Sequence, residues 1–169
     1  MKQFILGGAR SGKSRYAEKI AETSGKTIIY IATATAGDDE MKQRILFHKQ
    51  QRPDHWKLVE EPIKISEVLR DNDNADCCLL VDCLTLWLSN CLTMEGDINI
   101  SQQQDDLINT ISNLNAELIL VSNEVGQGIV PMSELGRIFV DESGRLHQKL
   151  AQVCDNVVFI TAGLPQILK

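Results

Sequence analysis

An α/β fold with a mainly parallel sheet is the structure that this sequence predicts, since short apolar runs alternate with longer amphipathic segments. The runs at residues 27–32, 77–82 and 117–122 are typical of strands that are covered on both faces of a sheet. A further run at residues 4–6 leads through a glycine-rich stretch into a helical pattern at residues 15–22. This alternation predicts a doubly wound sheet with helices between successive strands.

Turn residues and periodicity place the remaining elements. Acidic residues at positions 38–40 open a predicted helix, which ends before Pro53 because the residue before a proline avoids the helical region. The other predicted elements are an edge strand at 56–60, helices at 63–70 and 84–92, a helix capped by Ser101 and ending near Leu114, a loop at 123–131, a mostly helical stretch at 133–153 with a break near Gly144, and a final strand at 156–161.

Length and composition bound the class of protein. The 169 residues predict a single domain, and a hydrophobic content of 43% is ordinary for a soluble globular protein. The net charge of −6 argues against broad, non-specific binding to nucleic acid. No apolar run reaches the length of a membrane span and the start lacks a signal-peptide pattern, so we expect a cytoplasmic protein. The five cysteines lack zinc-site spacing, and we expect free thiols in a reducing compartment.

Residues 7–14, G-G-A-R-S-G-K-S, match G-x-x-x-x-G-K-[ST] between a predicted strand and a predicted helix. Glycines let the backbone curl so that N–H groups point at a phosphate, and the helix dipole adds to the attraction. Lys13 is expected to reach the β- and γ-phosphates, and the Ser14 hydroxyl to ligate Mg²⁺. The alternative is a glycine-rich turn with an incidental lysine, but the setting favours a phosphate-binding loop (P-loop). The predicted fold is then the three-layer, RecA-like fold of P-loop NTPases.

Two further positions lie at predicted strand ends. Asp82 ends the strand at 77–82, where an acid beside a P-loop can meet the magnesium ion. Its alternative role is to cap the following helix through Cys83. Thr33 and Thr35 follow the strand at 27–32, at the edge where open α/β sheets bind ligands. Their hydroxyls contact a nucleotide or form a turn, and spacing alone does not separate these alternatives.

His48 lies on the predicted helix after residue 38, with Arg44 and Arg52 at steps of four, so the three side chains share a face. A neutral imidazole is a competent nucleophile toward phosphorus near neutral pH. Neighbouring arginines would lower its pKa and stabilise a triphosphate under attack. A helix-surface histidine is more often solvated or a packing residue, so the residues alone leave both roles open. His55 and His147 have no such basic cluster and are expected to lack a catalytic role.

Longer motifs add to these patterns. They are G-G-A-R-S-G-K-S-R at 7–15, Y-I-A-T-A at 30–34, D-E-M at 39–41, R-I-x-x-H-K-x-x-R-P-x-x-W at 44–56, V-D-C-L-T-x-W-L-S-N at 81–90, S-N-E-V-G-x-G-I-V-P at 122–131 and A-G-L-P at 162–165. With them the chain resembles the bifunctional adenosylcobinamide kinase/adenosylcobinamide-phosphate guanylyltransferase family over essentially its whole length. The motifs at 44–56 and 122–131 are far more specific than the P-loop.

The resemblance implies two reactions. In the first, ATP or GTP phosphorylates the aminopropanol hydroxyl of adenosylcobinamide. In the second, GTP guanylylates an enzyme histidine with release of pyrophosphate, and GMP then passes to adenosylcobinamide-phosphate to give adenosylcobinamide-GDP. The GMP-histidine falls on His48, and Lys13 is the second predicted catalytic residue. Ser14 and Asp82 are the predicted ligands of Mg²⁺, and the resemblance also implies a homotrimer.

The resemblance places nucleotide contacts at the P-loop, after the second strand, around His48 and at two acids. They are Gly7, Gly8, Ala9, Arg10, Ser11, Gly12, Lys13, Ser14, Arg15, Thr33, Ala34, Thr35, Lys49, Gln50, Gln51, Arg52, Glu60 and Asp82. The chain departs from the family pattern at Val140, where arginine is usual, and at His147, where asparagine is usual. Both departures lie away from the P-loop and the His48 segment in sequence.

Two other functions are compatible with a P-loop. An ordinary small-molecule kinase would transfer the γ-phosphoryl group without a covalent adduct and leave His48 as a bystander. A regulatory GTPase would need a guanine-reading N-K-x-D motif, which the sequence lacks. Its single D-x-x-G, at 141–144, lies far from the P-loop in sequence and falls at the predicted helix break.

Overall fold

The computed structural model of the chain describes residues 1–35, 53–94 and 98–169. In these ranges seven strands form one sheet with the order β3-β2-β4-β5-β1-β6-β7. The strands are β1 (Lys2–Gly7), β2 (Thr27–Ala32), β3 (Lys57–Glu60), β4 (Cys77–Asp82), β5 (Glu117–Asn123), β6 (Asn156–Thr161) and β7 (Leu164–Ile167). The helices are α1 (Lys13–Thr23), α2 (Ile65–Asp71), α3 (Leu84–Thr93), α4 (Ile100–Asn113) and α5 (Glu134–Val153). None of these helices combines the length and apolar character that a membrane crossing requires.

The sheet is parallel except at one edge. Every neighbouring pair of strands is parallel apart from β6 and β7, which form a hairpin. The carboxyl ends of β1 to β6 therefore meet at one edge of the sheet, where open α/β folds bind ligands. Gly7, the last residue of β1, pairs with Asn123 on β5 and with Ile160 on β6. The P-loop thus leaves this edge with a strand on each side.

Helices cover both faces of the sheet. Phe4 and Leu6 of β1 pack in one core with residues of α2 to α5, whereas Ile5 packs in the other core with residues of α1. The adjacent Cys77 and Cys78 also pack into opposite cores, as predicted for neighbours on a strand. All five cysteines are free thiols. The predicted α/β fold with a mainly parallel sheet is confirmed.

Most predicted elements match the structure within a residue or two. β2 and β4 span the predicted residues, and β3 lies at the predicted edge of the sheet. The helix α2 starts two residues later than predicted, at Ile65. The reason is a local turn, in which Glu61 Oε1 accepts hydrogen bonds from the N–H groups of Ile63 and Lys64. In a helix that began at Ile63, these two N–H groups would have no intrahelical partner. The Glu61 side chain satisfies them instead.

Two predictions about helices are wrong. The cap of α4 is Asn99, whose side chain accepts a hydrogen bond from the Gln102 N–H, and not Ser101. Asparagine and serine are about equally good caps, so propensity did not decide between them. The helix α5 runs through Gly144 without the predicted break. A glycine costs a helix interior about 1 kcal/mol, and packing of the buried Leu146 and its neighbours outweighs that cost.

The predicted final strand is followed by another. Ala162 and Gly163 have φ values of 53° and 80°, and they connect the paired residues Thr161 and Leu164. Two successive positive φ values are typical of the type I′ turns that close two-residue hairpins. Because alanine rarely adopts this conformation, Ala-Gly is a weak turn signal and the hairpin was missed.

His147 is a buried polar residue on the sheet-facing side of α5, where it is 8% exposed. Its Nε2 lies 2.9 Å from Ser122 Oγ, and its ring centroid lies 5.4 Å from that of Phe4. Burial, partly offset by the negative charge of Glu124, lowers the pKa of His147 below its usual 6.5. The imidazole is therefore neutral in the folded chain at neutral pH.

This pKa shift predicts a pH dependence of stability. As the pH falls below 6.5, the unfolded chain protonates His147 before the folded chain does. The contribution of the neutral ring is thus fully present above that pH and is lost as the pH falls toward the folded-state pKa. We expect the difference in unfolding free energy between the wild-type chain and His147→Asn to shrink between about pH 7.5 and pH 5.5 in urea titrations. His55→Asn, at an exposed site, is the control, and a difference for His147→Asn that does not change with pH would contradict the prediction.

Candidate active site

The P-loop connects β1 to α1, and its backbone requires glycine at two points. Gly12 has a φ of 101°, a conformation that residues with side chains strongly disfavour. A side chain at Gly7 would collide with the carbonyl oxygen of Ile160 on β6. The two glycines therefore allow the tight curl that turns backbone N–H groups toward a ligand.

Lys13 is the first residue of α1 and is only 6% exposed. Its Nζ donates a 2.6 Å hydrogen bond to the carbonyl oxygen of Gly8, so the ammonium group lies against the loop. Burial lowers the pKa of Lys13, and the negative charge of Asp82 opposes this shift. A bound phosphate would supply the counter-charge that a desolvated ammonium group lacks. The arrangement favours an anion at this position.

Two segments that are distant in sequence hold the P-loop. The Glu124 N–H donates to the carbonyl oxygen of Gly7 at 3.0 Å, and the Gly163 N–H donates to that of Ser11 at 2.8 Å. Gly163 belongs to the turn between β6 and β7, so the A-G-L-P motif at 162–165 begins against the loop. A Cβ on Gly12 would lie 3.2 Å from Gly163 Cα, which leaves little room between the two segments.

Asp82 ends β4, which is two strands away from β1 in the sheet. Its Oδ2 accepts a 3.1 Å hydrogen bond from the Tyr30 hydroxyl. The N-cap of α3 is Cys83, which makes no side-chain capping bond. Burial, and secondly the charge of Asp82, raise the pKa of Cys83 to about 11, so its thiol is neutral. The Cys83 thiol therefore adds no negative charge beside Asp82.

Ser14 and Asp82 offer a hydroxyl and a carboxylate oxygen, which are ligands that Mg²⁺ prefers. Within residues 1–35, 53–94 and 98–169, no cluster of three or more His, Cys, Asp and Glu side chains could hold a metal ion. A magnesium ion that arrives with a triphosphate needs few protein ligands, because phosphate oxygens and waters complete its coordination. The two residues fit such an ion.

The predicted contacts at 33–35 lie after β2, further along the same edge. Thr33 is fully buried, and its Oγ1 donates to the Cys83 carbonyl at 2.7 Å and accepts from the Cys83 N–H at 2.9 Å. The Thr33 hydroxyl therefore fastens β2 to the start of α3. Ala34 is half-buried and Thr35 is exposed. Of the three predicted contacts, Ala34 and Thr35 have exposed surface that a ligand can contact.

Glu60 is exposed at the end of β3, at the far side of the edge. Because β3 is four strands from β1, Glu60 lies about 19 Å from the P-loop strand at about 4.8 Å per step. Asp82 pairs with Ala32 on β2 and its charge acts on Lys13, so it lies between the P-loop and the segment with Thr35, while Glu60 lies one strand further away.

The other predicted residues lie outside the described residues. They are the helix predicted to open at 38–40, with Arg44, His48, Lys49, Gln50, Gln51 and Arg52. The chain resumes at Pro53, and Trp56 is buried with its ring centroid 6.4 Å from that of Tyr30. Because the Tyr30 hydroxyl contacts Asp82, the buried Trp56 ring lies beside the candidate site.

One acidic side chain at this edge was missed by sequence reasoning. Glu124 directly follows β5, the strand that lies between β4 and β1, so it is located between Asp82 and the P-loop. The family motif at 122–131 contains this glutamate, but the sequence assigns the segment to a loop and gives Glu124 no role. Its importance depends on the order of strands in the sheet, which apolar runs alone do not reveal.

Solved structures with the same fold include an ATPase domain and a recombinase. The ATPase domain has a TM-score of 0.52 and 17% identity, and the match covers 94% of this chain and 68% of that chain. The RadB recombinase has a TM-score of 0.50 and 15% identity, with coverage of 94% and 73%. These likenesses concern the fold alone, and they confirm the predicted P-loop NTPase-like, RecA-like fold.

Relatives with higher identity match along the whole chain. The bifunctional adenosylcobalamin biosynthesis protein CobP of Pseudomonas aeruginosa is 50% identical over 169 residues, which cover 100% of this chain and 98% of that protein. The bifunctional adenosylcobalamin biosynthesis protein CobU of Escherichia coli is 38% identical, with coverage of 95% and 96%. Residues 3–168 match the family model described as cobinamide kinase / cobinamide phosphate guanyltransferase. The chain therefore belongs to the cobinamide kinase / cobinamide phosphate guanyltransferase family.

Proposed function

We propose that the chain catalyses two successive reactions in nucleotide-loop assembly of adenosylcobalamin. It phosphorylates adenosylcobinamide with ATP or GTP, and it then transfers GMP from GTP to adenosylcobinamide-phosphate through a GMP-histidine at His48. The products of the second reaction are adenosylcobinamide-GDP and pyrophosphate. The observation that carries this proposal is a buried Lys13 within a complete P-loop in a chain that matches the family from residue 3 to 168.

The P-loop supplies the phosphate site for both reactions. Backbone N–H groups and Lys13 hold the triphosphate and stabilise the charge that develops on the leaving group. Ser14 and Asp82 would hold Mg²⁺, which would neutralise phosphate charge when bound. Residues 7–15 form the loop, and Ala34, Thr35 and Glu60 provide further contacts along the edge of the sheet.

In the guanylyl transfer, a ring nitrogen of His48 attacks the α-phosphorus of GTP. The bond from that phosphorus to its bridging oxygen breaks, and pyrophosphate leaves with the electron pair. A phosphate oxygen of adenosylcobinamide-phosphate then attacks the same phosphorus, and the phosphorus–nitrogen bond breaks. Arg52 and Lys49, which neighbour His48 in sequence, would balance the phosphate charge in both steps.

Two properties of the folded chain fit this role. Its five cysteines are free thiols, which accords with the reducing cytoplasm where nucleoside triphosphates are available. A single 169-residue domain can supply both reactions, because the P-loop, Asp82 and Glu60 all belong to one sheet. We therefore infer that residues 1–169 act as one domain and that the enzyme works in the cytoplasm.

A homotrimer is supported by two apolar surfaces. The loop surface comprises the exposed side chains between β5 and the first turns of α5: Ile129, Val130, Met132, Leu135 and Ile138. The edge surface comprises Leu164, Ile167 and Leu168 on and beside β7, which ends the sheet in the described part of the chain. A ring of three subunits needs two different surfaces that fit each other, whereas a two-fold dimer needs one self-complementary surface. Exposed apolar patches of this kind mark interaction sites.

The covalent intermediate can be tested directly. GTP labelled at the α-phosphate should label the wild-type protein, and His48→Ala should abolish the label because no other group is expected to attack that phosphorus. The bond should be labile to acid and stable to alkali, and adenosylcobinamide-phosphate should remove the label. His55→Ala, at an exposed histidine nearby in sequence, should keep it. Labelling that persists in His48→Ala would defeat the assignment, and phosphorylation without labelling in the wild type would leave an ordinary kinase.

A second test concerns the shared phosphate site. Lys13→Ala should lower the rates of both phosphorylation and guanylylation by about 100-fold or more, since both reactions need its charge at the phosphates. Lys19→Ala, at an exposed position on the same helix, should keep both rates. A Lys13→Ala variant that loses one rate and retains the other would show that the reactions use separate phosphate sites.

The oligomer provides a third test. Light scattering should find a mass about three times the 18.8 kDa of the chain. Ile129→Asp should shift this mass toward the monomer, because a charge at the centre of an apolar contact loses its hydration on assembly. Met94→Asp, at an exposed apolar residue after α3, is the control. A monomeric wild-type chain would refute the trimer.

A further inference from the structure

Among the described residues, Glu124 is a further carboxylate between Asp82 and the P-loop, and the proposed chemistry above does not use it. Asp82 pairs with Val121 on β5, and Gly7 pairs with Asn123 on the same strand. Glu124 is the next residue, and its N–H donates to the Gly7 carbonyl oxygen at 3.0 Å. Since neighbouring strands are about 4.8 Å apart, its backbone lies one strand from the P-loop and one strand from β4.

The Glu124 side chain has a defined orientation and keeps access to solvent. Its Oε1 accepts a 2.6 Å hydrogen bond from the Gly126 N–H, while 22% of the side chain is exposed. A Cβ at position 126 would lie 3.1 Å from this oxygen, so glycine there leaves room for the carboxylate. Its Oε2 lies 3.8 Å from His147 Nδ1. This distance exceeds a hydrogen bond, but it is short enough for an N–H dipole to attract the carboxylate.

The buried end of His147 is fixed by a chain of hydroxyl groups. Ser122 Oγ lies 2.9 Å from Nε2 and 3.4 Å from Thr85 Oγ1, and Thr85 Oγ1 accepts a 2.7 Å bond from the Asn123 N–H. Because a carboxylate can only accept, we assign the ring proton to Nδ1, which faces Glu124 Oε2, and the Ser122 hydroxyl then donates to Nε2. The ring thus presents an N–H group, and not a lone pair, to the carboxylate.

Serine, histidine and glutamate in this order resemble a hydrolytic triad, but the burial excludes that role. Ser122 is 1% exposed and its hydroxyl faces the interior, so no substrate can reach it. The exposed member of the set is Glu124, at the edge where ligands bind. Glu124 is therefore the member of this network that a substrate can contact.

We propose that Glu124 is the general base of the phosphorylation step and that His147 is a positioning residue for it; this inference rests on the proposed kinase function. The acceptor hydroxyl of the substrate forms a bond from its oxygen to the γ-phosphorus. The bond from that phosphorus to the β,γ-bridging oxygen breaks, and the nucleoside diphosphate leaves with the electron pair. The hydroxyl proton passes to a carboxylate oxygen of Glu124 and from there to solvent.

The chemistry of the two reactions makes the proposal specific. Phosphorylation of an alcohol releases a proton from the attacking oxygen, so it needs a base. Attack by a neutral imidazole or by a phosphate anion on the α-phosphorus starts from a free electron pair and needs no such base. The Glu124 carboxylate should therefore matter for phosphorylation far more than for guanylylation.

The test compares both half-reactions in Glu124→Gln. We expect kcat for phosphorylation of adenosylcobinamide to fall by about 100-fold or more, the range typical for loss of a general base, while labelling from α-labelled GTP falls far less. The matched control is Glu117→Gln at the other end of β5, where the side chain has a similar exposure of 24% and pairs with Lys26. This control should retain both rates. Gly126→Ala, which crowds Glu124 Oε1, should lower the phosphorylation rate in the same selective way.

Three outcomes would overturn the proposal. They are a Glu124→Gln enzyme with an unchanged phosphorylation rate, an equal loss in both half-reactions, and recovery of its rate in high Mg²⁺, which would make the carboxylate a metal ligand. A wild-type enzyme that forms the adduct but does not phosphorylate adenosylcobinamide would instead contradict the proposed kinase function itself, so the two failures are distinguishable.

His147 is tested through its Nδ1–H group. His147→Phe keeps an aromatic ring at the site and removes the donor, and it should lower kcat for phosphorylation by about tenfold with the KM for the nucleotide unchanged. His147→Asn places an amide N–H near the position of Nδ1 and should recover most of the rate. A merely structural role predicts equal effects of the two variants, and that result would remove His147 from the proposal.

Discussion

The conformation of the P-loop depends on backbone hydrogen bonds that it receives from two other parts of the chain. The Glu124 N–H bonds to Gly7 on one side, and the Gly163 N–H bonds to Ser11 on the other. These bonds occupy the carbonyl oxygens of Gly7 and Ser11, and so they fix the loop near both of its ends. A phosphate site formed in this way is organised before the nucleotide arrives, so binding requires little ordering of the loop.

The same arrangement explains why the edge of the sheet is rich in polar groups without being unstable. Thr33, Thr85 and Ser122 use their hydroxyls within the fold, where they connect strand ends to α3 and α5. Buried polar groups are tolerable only when they are hydrogen-bonded, and these bonds meet that condition. The charged members of the region, Lys13 and Asp82, lie close enough to influence each other.

Much of the fold could be predicted from the sequence because its central strands are continuous apolar runs. β2 and β4 are buried on both faces, and for such strands composition alone gives the correct bounds. The missed features were decided by contacts between distant residues. The packing of α5 overrides the glycine at 144, and the turn at Ala162 depends on a positive φ that alanine seldom adopts.

For the candidate site, the predictable part was the part with a motif. The pattern at residues 7–14 fixed Lys13 and Ser14, and the acid after a buried strand identified Asp82, since each of these signals is local in sequence. Glu124 lies in the motif at 122–131 and His147 is a departure from the family pattern, but neither signal assigns a role to its residue. The two residues meet only because β5 lies between β4 and β1 and because α5 packs across it, and strand order is a property of the whole sheet.

The contact between Gly163 and Ser11 has a consequence for how the protein matures on the ribosome. The P-loop leaves the exit tunnel well before Gly163, because the residue that bonds to Ser11 is synthesised about 150 residues later. Until β6 has emerged and paired with β1, the nascent chain has a glycine-rich loop without its brace. Nucleotide affinity should therefore be acquired late in translation, and a prematurely terminated chain would not sequester cellular GTP.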